Sequence, residues 1–118
     1  LWGEVAGRVK TDCGGKLAWT SMTLEMLDRL KVHADDTQDF ADIPRMLAGG
    51  EVGVLFREFE KGVRVSLRSN RIPIVSVAET FAGGGHSLAC GCELDMPLAD
   101  AERRVLDAVR KLLAKRKP

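Results

Sequence analysis

The 118-residue sequence predicts an α/β domain, or its α+β variant. The expected core is a mixed sheet with a central antiparallel hairpin, flanked by helices and followed by a long C-terminal helix. Three observations carry this. Glu51 to Phe59 and Val63 to Ser69 are rich in valine and phenylalanine and flank Glu60-Lys61-Gly62, the pattern of a hairpin. Leu98 to Lys115 repeats apolar residues at helical spacing. Glycines and prolines cut the remainder into short elements of both kinds.

Residues 1 to 12 are ambiguous: Val5 and Val9 suit a helix, while Gly3 and Gly7 weaken it. They can be the tail of an interdomain linker ahead of a domain spanning 13 to 118. Lys16 to Thr20 reads as a short strand. Ser21 or Thr23 can cap a helix running to about Lys31. A polar loop, 33 to 38, follows. Phe40, Ile43 and Leu47 share a helical face, but Ile43 precedes Pro44 and is biased away from helix. Asp42 can therefore cap a helix beginning at Pro44.

In the hairpin, Lys61-Gly62 as a two-residue turn puts Val52, Val54 and Phe56 on one face with Val63, Val65 and Leu67. The opposite face then holds Leu55, Arg57, Phe59, Arg64, Ser66 and Arg68. A three-residue loop would set Arg57 among the valines; the first register segregates charge better. Pro73 suits the first position of a helix whose stripe is Ile74, Val77, Ala78 and Phe81. Gly83-Gly84-Gly85 stops it. His86 to Cys90 can open another short helix, and Gly91 to Met96 alternates like a strand. The last helix buries Leu98, Ala101, Val105, Leu106, Val109, Leu112 and Leu113, with acids near its start and bases near its end.

Composition bounds the function. Hydrophobic residues make up 45% and charged residues 30% of the chain, enough for one soluble domain with a core. Lys plus Arg is 18 against 17 Asp plus Glu, a formal charge of +1. That balance argues against a dedicated long-duplex binder but permits a focused anion site. No run is long and apolar enough to span a membrane, and no signal peptide is apparent. Three cysteines without framework spacing suit a reduced, cytoplasmic setting. The start at Leu1 rather than Met suggests a piece of a longer protein.

Two segments bear chemistry. In Gly83-Gly84-Gly85-His86-Ser87-Leu88-Ala89-Cys90-Gly91, three glycines cost conformational entropy and mark a sharp turn or a close approach. Exposed N–H groups there, backed by the dipole of a following helix, can bind an anion, and His86 can donate to a phosphate oxygen. A plain interhelical turn is as good a reading. In Val65-Ser66-Leu67-Arg68-Ser69-Asn70, Ser66 and Arg68 share one strand face, and the Arg fork matches phosphate oxygens. A solvated hairpin face, with Glu58 paired to an Arg, is the blander reading.

Other chemistries find little support. His33-Ala34-Asp35-Asp36, with Asp39 and Asp42 beyond, reads as a loop rather than a metal site. No Gly-x-Ser-x-Gly elbow occurs. His86, Cys90 and Cys92, with Cys13, lack the paired spacing of a zinc site, and the cysteines read better as small buried groups, with Cys90 ending a helix.

Together the segments resemble the C-terminal, substrate-binding domain of DHH-family phosphoesterases, of the nanoRNase and pAp-phosphatase, exopolyphosphatase-related group. Lys16-Leu17-Ala18-Trp19, Val52 to Glu58, Val65 to Ser69 and Phe81 to Gly91 carry the resemblance in order. Ala82 stands where the family usually has a fourth glycine, Cys90 where it has a second alanine, and Ser87 where lysine is frequent. The resemblance implies that Arg68, Ser66 and the loop Gly83, Gly84, Gly85 and His86 hold phosphate or a terminal nucleotide, with Arg57 and Ser69 as further candidates. It places no catalytic residue and no metal in this chain. The family's Asp-His-His centre, with two manganese ions, belongs to an N-terminal domain that would be this domain's partner across a cleft.

The expected function is phosphate and nucleotide binding for a manganese-dependent phosphoesterase acting on short oligoribonucleotides or pAp. The parent could be a homodimer, and no membrane partner is expected. The alternative is a nucleic-acid-binding module, as in RecJ-like exonucleases or alanyl-tRNA synthetases, to which Lys111 to Lys117 could contribute. A third reading is an interaction domain without a ligand.

Overall fold

A computed structural model describes residues 1–32, 37 and 40–115. The loop expected at 33 to 38 therefore lies outside the described residues except for Thr37, as does the Asp-rich patch except for Asp42. The order of elements is α1 (Trp2–Gly7), β1 (Lys10–Asp12), β2 (Leu17–Met22), α2 (Leu24–Arg29) and α3 (Ile43–Ala48). Then come β3 (Val52–Phe59), β4 (Gly62–Ser69), α4 (Val75–Thr80), β5 (Gly84–His86), β6 (Ala89–Leu94) and α5 (Leu98–Lys115). The strands form one mixed sheet in the order β1-β2-β3-β4-β6-β5. Among the described strands only β2 and β3 pair in parallel. This is the expected architecture, with the β3–β4 hairpin at its centre.

The hairpin turn is Glu60-Lys61, because Phe59 pairs with Gly62. That is one residue earlier than Lys61-Gly62. Both turns contain two residues, so side-chain parity, and hence the assignment of faces, is unchanged. Val52, Val54, Phe56, Val63, Val65 and Leu67 are buried on one face with Leu17, Cys90, Cys92 and Leu94, against Val77 and Ala78 of α4 and Ala101, Val105 and Val109 of α5. The second face buries Met22 and Leu55 against Val5 of α1, Met26 and Leu27 of α2, and Ala41 and Ile43.

Residues 1–12 are part of this construction. Val5 is fully buried, and its carbonyl accepts the Thr20 hydroxyl at 2.7 Å. Thr23, not Ser21, caps α2: its hydroxyl accepts the Met26 N–H at 3.1 Å. Asp42 sits at the N-cap position of α3 without a side-chain cap bond, and the helix begins at Ile43, with Pro44 inside its first turn. Likewise α4 begins at Val75, two residues after Pro73. Ile74 is held outside it because its N–H donates to the Ser87 carbonyl at 2.7 Å.

The expectation of a helix from His86 to Cys90 is overturned. Gly84–His86 and Ala89–Leu94 are two antiparallel strands joined at Ser87-Leu88. Tertiary bonding decides this: β6 pairs with β4 on one side and β5 on the other, and the Leu88 carbonyl accepts the Ser69 N–H at 2.9 Å. Cys90 thus lies within a strand, where it and Cys92 both point into the core.

Candidate functional site

Among the described residues, helices α1, α2 and α3 pack chiefly against β2 and β3, which leaves the second face of β4 and β6 open. Strand alternation places Arg64, Ser66 and Arg68 on that open face. They line a groove of about 580 Å³ together with Arg57, Gly83, Gly84, Gly85 and Gly91. The structure thus brings six of the expected residues together: Arg57, Ser66, Arg68 and the three glycines. Two it does not. His86 is exposed at the end of β5, beyond the groove. Ser69 is buried on the opposite face, and its hydroxyl accepts the Ile72 N–H at 3.1 Å.

The guanidinium groups have different partners. Arg64 donates to Glu93 at 2.9 Å and stacks over the Phe59 ring at 4.5 Å. Arg57 donates to the Thr37 hydroxyl at 3.2 Å. Arg68 donates to the Leu67 carbonyl at 3.0 Å and to the Cys90 carbonyl at 3.5 Å, and its Nε lies 3.9 Å from Asp42. Asp42 in turn accepts from Arg45 at 3.0 Å, and Arg45 donates to Asn70 at 2.7 Å. Thr37 and Asp42 were missed as site neighbours. Thr37 reads as polar loop and Asp42 as a helix cap, and the burial of Ala41 and Ile43 in one cluster with Leu55 brings Asp42 to Arg68. Glu58 is not paired to an Arg in any described bond; it accepts the Leu24 N–H at 2.9 Å and so helps start α2.

The glycine run does not precede a helix, so no helix dipole serves it. Two of its members are explained by the fold. A Cβ at Gly83 would collide with the Gly91 carbonyl and lie 2.6 Å from the Cys92 Cβ, and Gly85 has φ +134°. Gly84 has no such constraint: a Cβ there would meet open space. Its exposed backbone belongs to an edge strand, which presents unpaired N–H and C=O groups. Ser66 is half-buried, and its hydroxyl has no hydrogen bond among the described residues. The groove therefore offers cationic forks, a hydroxyl and bare backbone, a donor set suited to phosphate oxygens.

The thiols beneath the groove stay protonated. Burial pushes Cys92 up to about 11, and burial raises Cys90 as well, opposed by the nearby Arg68 charge. Among the described residues no three His, Cys, Asp or Glu side chains converge to hold a metal ion, so these residues do not fit a manganese centre. No described helix is long and apolar enough to cross a membrane.

Residues 14–115 match the DHHA1 domain family. The chain belongs to the DHHA1 family. The DHHA1 domain is 39% identical, over 98% of its length, to the bifunctional oligoribonuclease and PAP phosphatase NrnA of Thermus thermophilus, of which it spans 35%. Among solved structures it is similar to an exopolyphosphatase-related protein from Bacteroides fragilis, with a TM-score of 0.84 and 27% identity over 93% of this chain and 33% of that one. A pGpG-specific phosphodiesterase, PggH, from Vibrio cholerae shares the fold, with a TM-score of 0.68 at 17% identity over 96% of this chain and 37% of that one. The chain thus spans about a third of each relative's length. It is a DHHA1 domain related to DHH phosphoesterases, as its motifs imply.

Proposed function

We propose that this domain binds the phosphate and terminal nucleotide of a short oligoribonucleotide, or of pAp, for a DHH-family phosphoesterase. The observation that carries the reading is the open sheet face, where Arg57, Ser66 and Arg68 meet the bare backbone of Gly84 in one groove. Arg68 is the central donor. It extends from the middle of the sheet, is about a third exposed, and has one ion-pair neighbour among the described residues, distant at 3.9 Å. Ser66 adds a hydroxyl on the same strand, two residues away.

The relatedness to an oligoribonuclease and PAP phosphatase supports the substrate class, and the near-zero net charge suits a short ligand over a long polyanion. In this reading the hydrolytic chemistry and the manganese ions belong to a DHH domain facing the groove. This domain contributes positioning, which converts a bimolecular encounter into an oriented one.

The test uses the full-length protein that carries the domain. Losing one charge-assisted bond costs roughly 1.5–3 kcal/mol, or about 10- to 100-fold in kcat/KM. Arg68→Ala is expected to lower dinucleotide turnover by that factor, with Arg68→Lys intermediate because it loses the fork. Unchanged turnover in Arg68→Ala and in Ser66→Ala would remove the groove from the substrate path. Salt-dependent binding of long RNA with no dinucleotide turnover would favour a general nucleic-acid module instead.

A further inference from the structure

A second groove, of about 720 Å³, runs between α4 and the C-terminal half of α5, on the other side of the sheet. Its α5 wall presents Arg104, Lys111 and Lys115, all exposed, with no ion pair to any described residue. Asp107 also lines the groove, but it is paired with Arg110 at 3.1 Å. The α4 wall adds the hydroxyls of Ser76 and Thr80. In a chain with a net charge of +1, this is a local positive excess turned away from the core, because the core side of α5 is made by other residues, Ala101, Val105, Val109 and Leu113.

The two grooves share one lining residue. Phe81, half-buried at the end of α4, lines both of them. A chain seated by its terminal phosphate at Arg68 and Gly84 can therefore pass the Phe81 ring and continue into the α4–α5 groove. Basic grooves combined with an aromatic ring are how proteins track single-stranded backbones without reading sequence.

We propose that the α4–α5 groove is a subsite for the distal backbone phosphates of a longer single-stranded oligoribonucleotide, whose end is held in the first groove. The proposal rests on the reading of that first groove, so its test must separate the two. The full-length protein is compared with Lys111→Glu/Lys115→Glu, with the milder Lys111→Gln/Lys115→Gln, and with Lys111→Arg/Lys115→Arg. Two substrates are used: a diribonucleotide, which has no backbone phosphate beyond its single linkage, and a heptaribonucleotide.

The expected result is unchanged dinucleotide turnover in every variant. The Glu variant should bind the heptamer at least tenfold more weakly, the Gln variant less so, and the Arg variant like the parent. The log–log salt slope for the heptamer should become shallower by about 0.7 for each phosphate that is no longer neutralised. Heptamer affinity and salt slope equal to the parent's in both the Glu and Gln variants would overturn the subsite, as would failure of the Arg variant to restore binding. An unaltered heptamer response alongside binding of an acidic protein would reassign the groove to protein contact. Absence of dinucleotide turnover in the parent would instead refute the first groove. The Gln pair keeps the test available if charge reversal impairs folding.

Discussion

Arg68 and Ala82 show how single residues divide between binding and architecture. Arg68 is anchored by carbonyls of Leu67 and Cys90 that strand pairing fixes, so its fork is aimed before any ligand arrives. Ala82 is different: it holds φ +62°, a left-handed conformation that costs an alanine about 1–2 kcal/mol. The family's usual glycine at this position now has a physical reason. Ala82→Gly is expected to stabilise the domain by roughly 1 kcal/mol, after the greater freedom of glycine in the unfolded chain is subtracted. Thermal or urea unfolding would show it, and a lower midpoint would contradict it. One residue along, Gly83→Ala should do the reverse by well over about 1 kcal/mol, because its Cβ meets the Gly91 carbonyl across the strand pair.

Elements differ in how plainly the sequence announces them. The helix α5 has 18 residues and one continuous apolar stripe, and periodicity alone delimits it. The β3–β4 hairpin is equally clear, and its face assignment survives a misplaced turn because both turns have two residues. Legibility fails at 84–90. Glycines carry no periodicity, and the strand state of Cys90 is imposed by Leu67 of β4, some twenty residues away, with His86 pairing in turn on β6. The helix start expected after the glycines goes with it, while Arg57, Ser66 and Arg68 keep the shared face that alternation in a well-read hairpin gives them.

Helix ends give measurable consequences at this scale. Thr23→Ala removes the cap of α2 and should cost about 1 kcal/mol, seen as a lower unfolding midpoint without a changed denaturant slope. Asp12 links β1 to α5. Its carboxyl accepts the Cys13 N–H at 2.8 Å and the Arg110 Nε at 2.6 Å, and these bonds, the backbone one first, hold it below the usual aspartate range. A depressed carboxyl contributes stability above its unfolded-state value and loses it as pH falls through its folded-state value. Asp12→Asn can still accept from Cys13 but has no charge to titrate. Its stability should therefore fall less steeply than the parent's in the acid limb, and parallel limbs would remove Asp12 from that role.

At the scale of the molecule, function depends on an asymmetry. One sheet face is covered by α4 and α5 over its central strands, while on the other, among the described residues, α1 to α3 pack on β2 and β3. Neither the open half nor the approach of Asp42 to Arg68 can be read from the chain, since both depend on where three short helices pack. Adjacent residues Leu55 and Phe56 probe the two halves of this design, because they point to opposite faces and are both fully buried. Truncating either should cost about 2–5 kcal/mol, a large share of a small domain's stability, in one transition because both cores share the sheet. Their functional effects should differ. Leu55 supports Ala41 and Ile43, which flank Asp42, so Leu55→Ala loosens the wall of the groove nearest Arg68. Phe56 supports the opposite core. Compared well below both unfolding midpoints, Leu55→Ala should raise the KM for a dinucleotide in the full-length protein more than Phe56→Ala does. Equal KM values would mean that the site is insensitive to the packing of α3 and that the strands alone hold it in place.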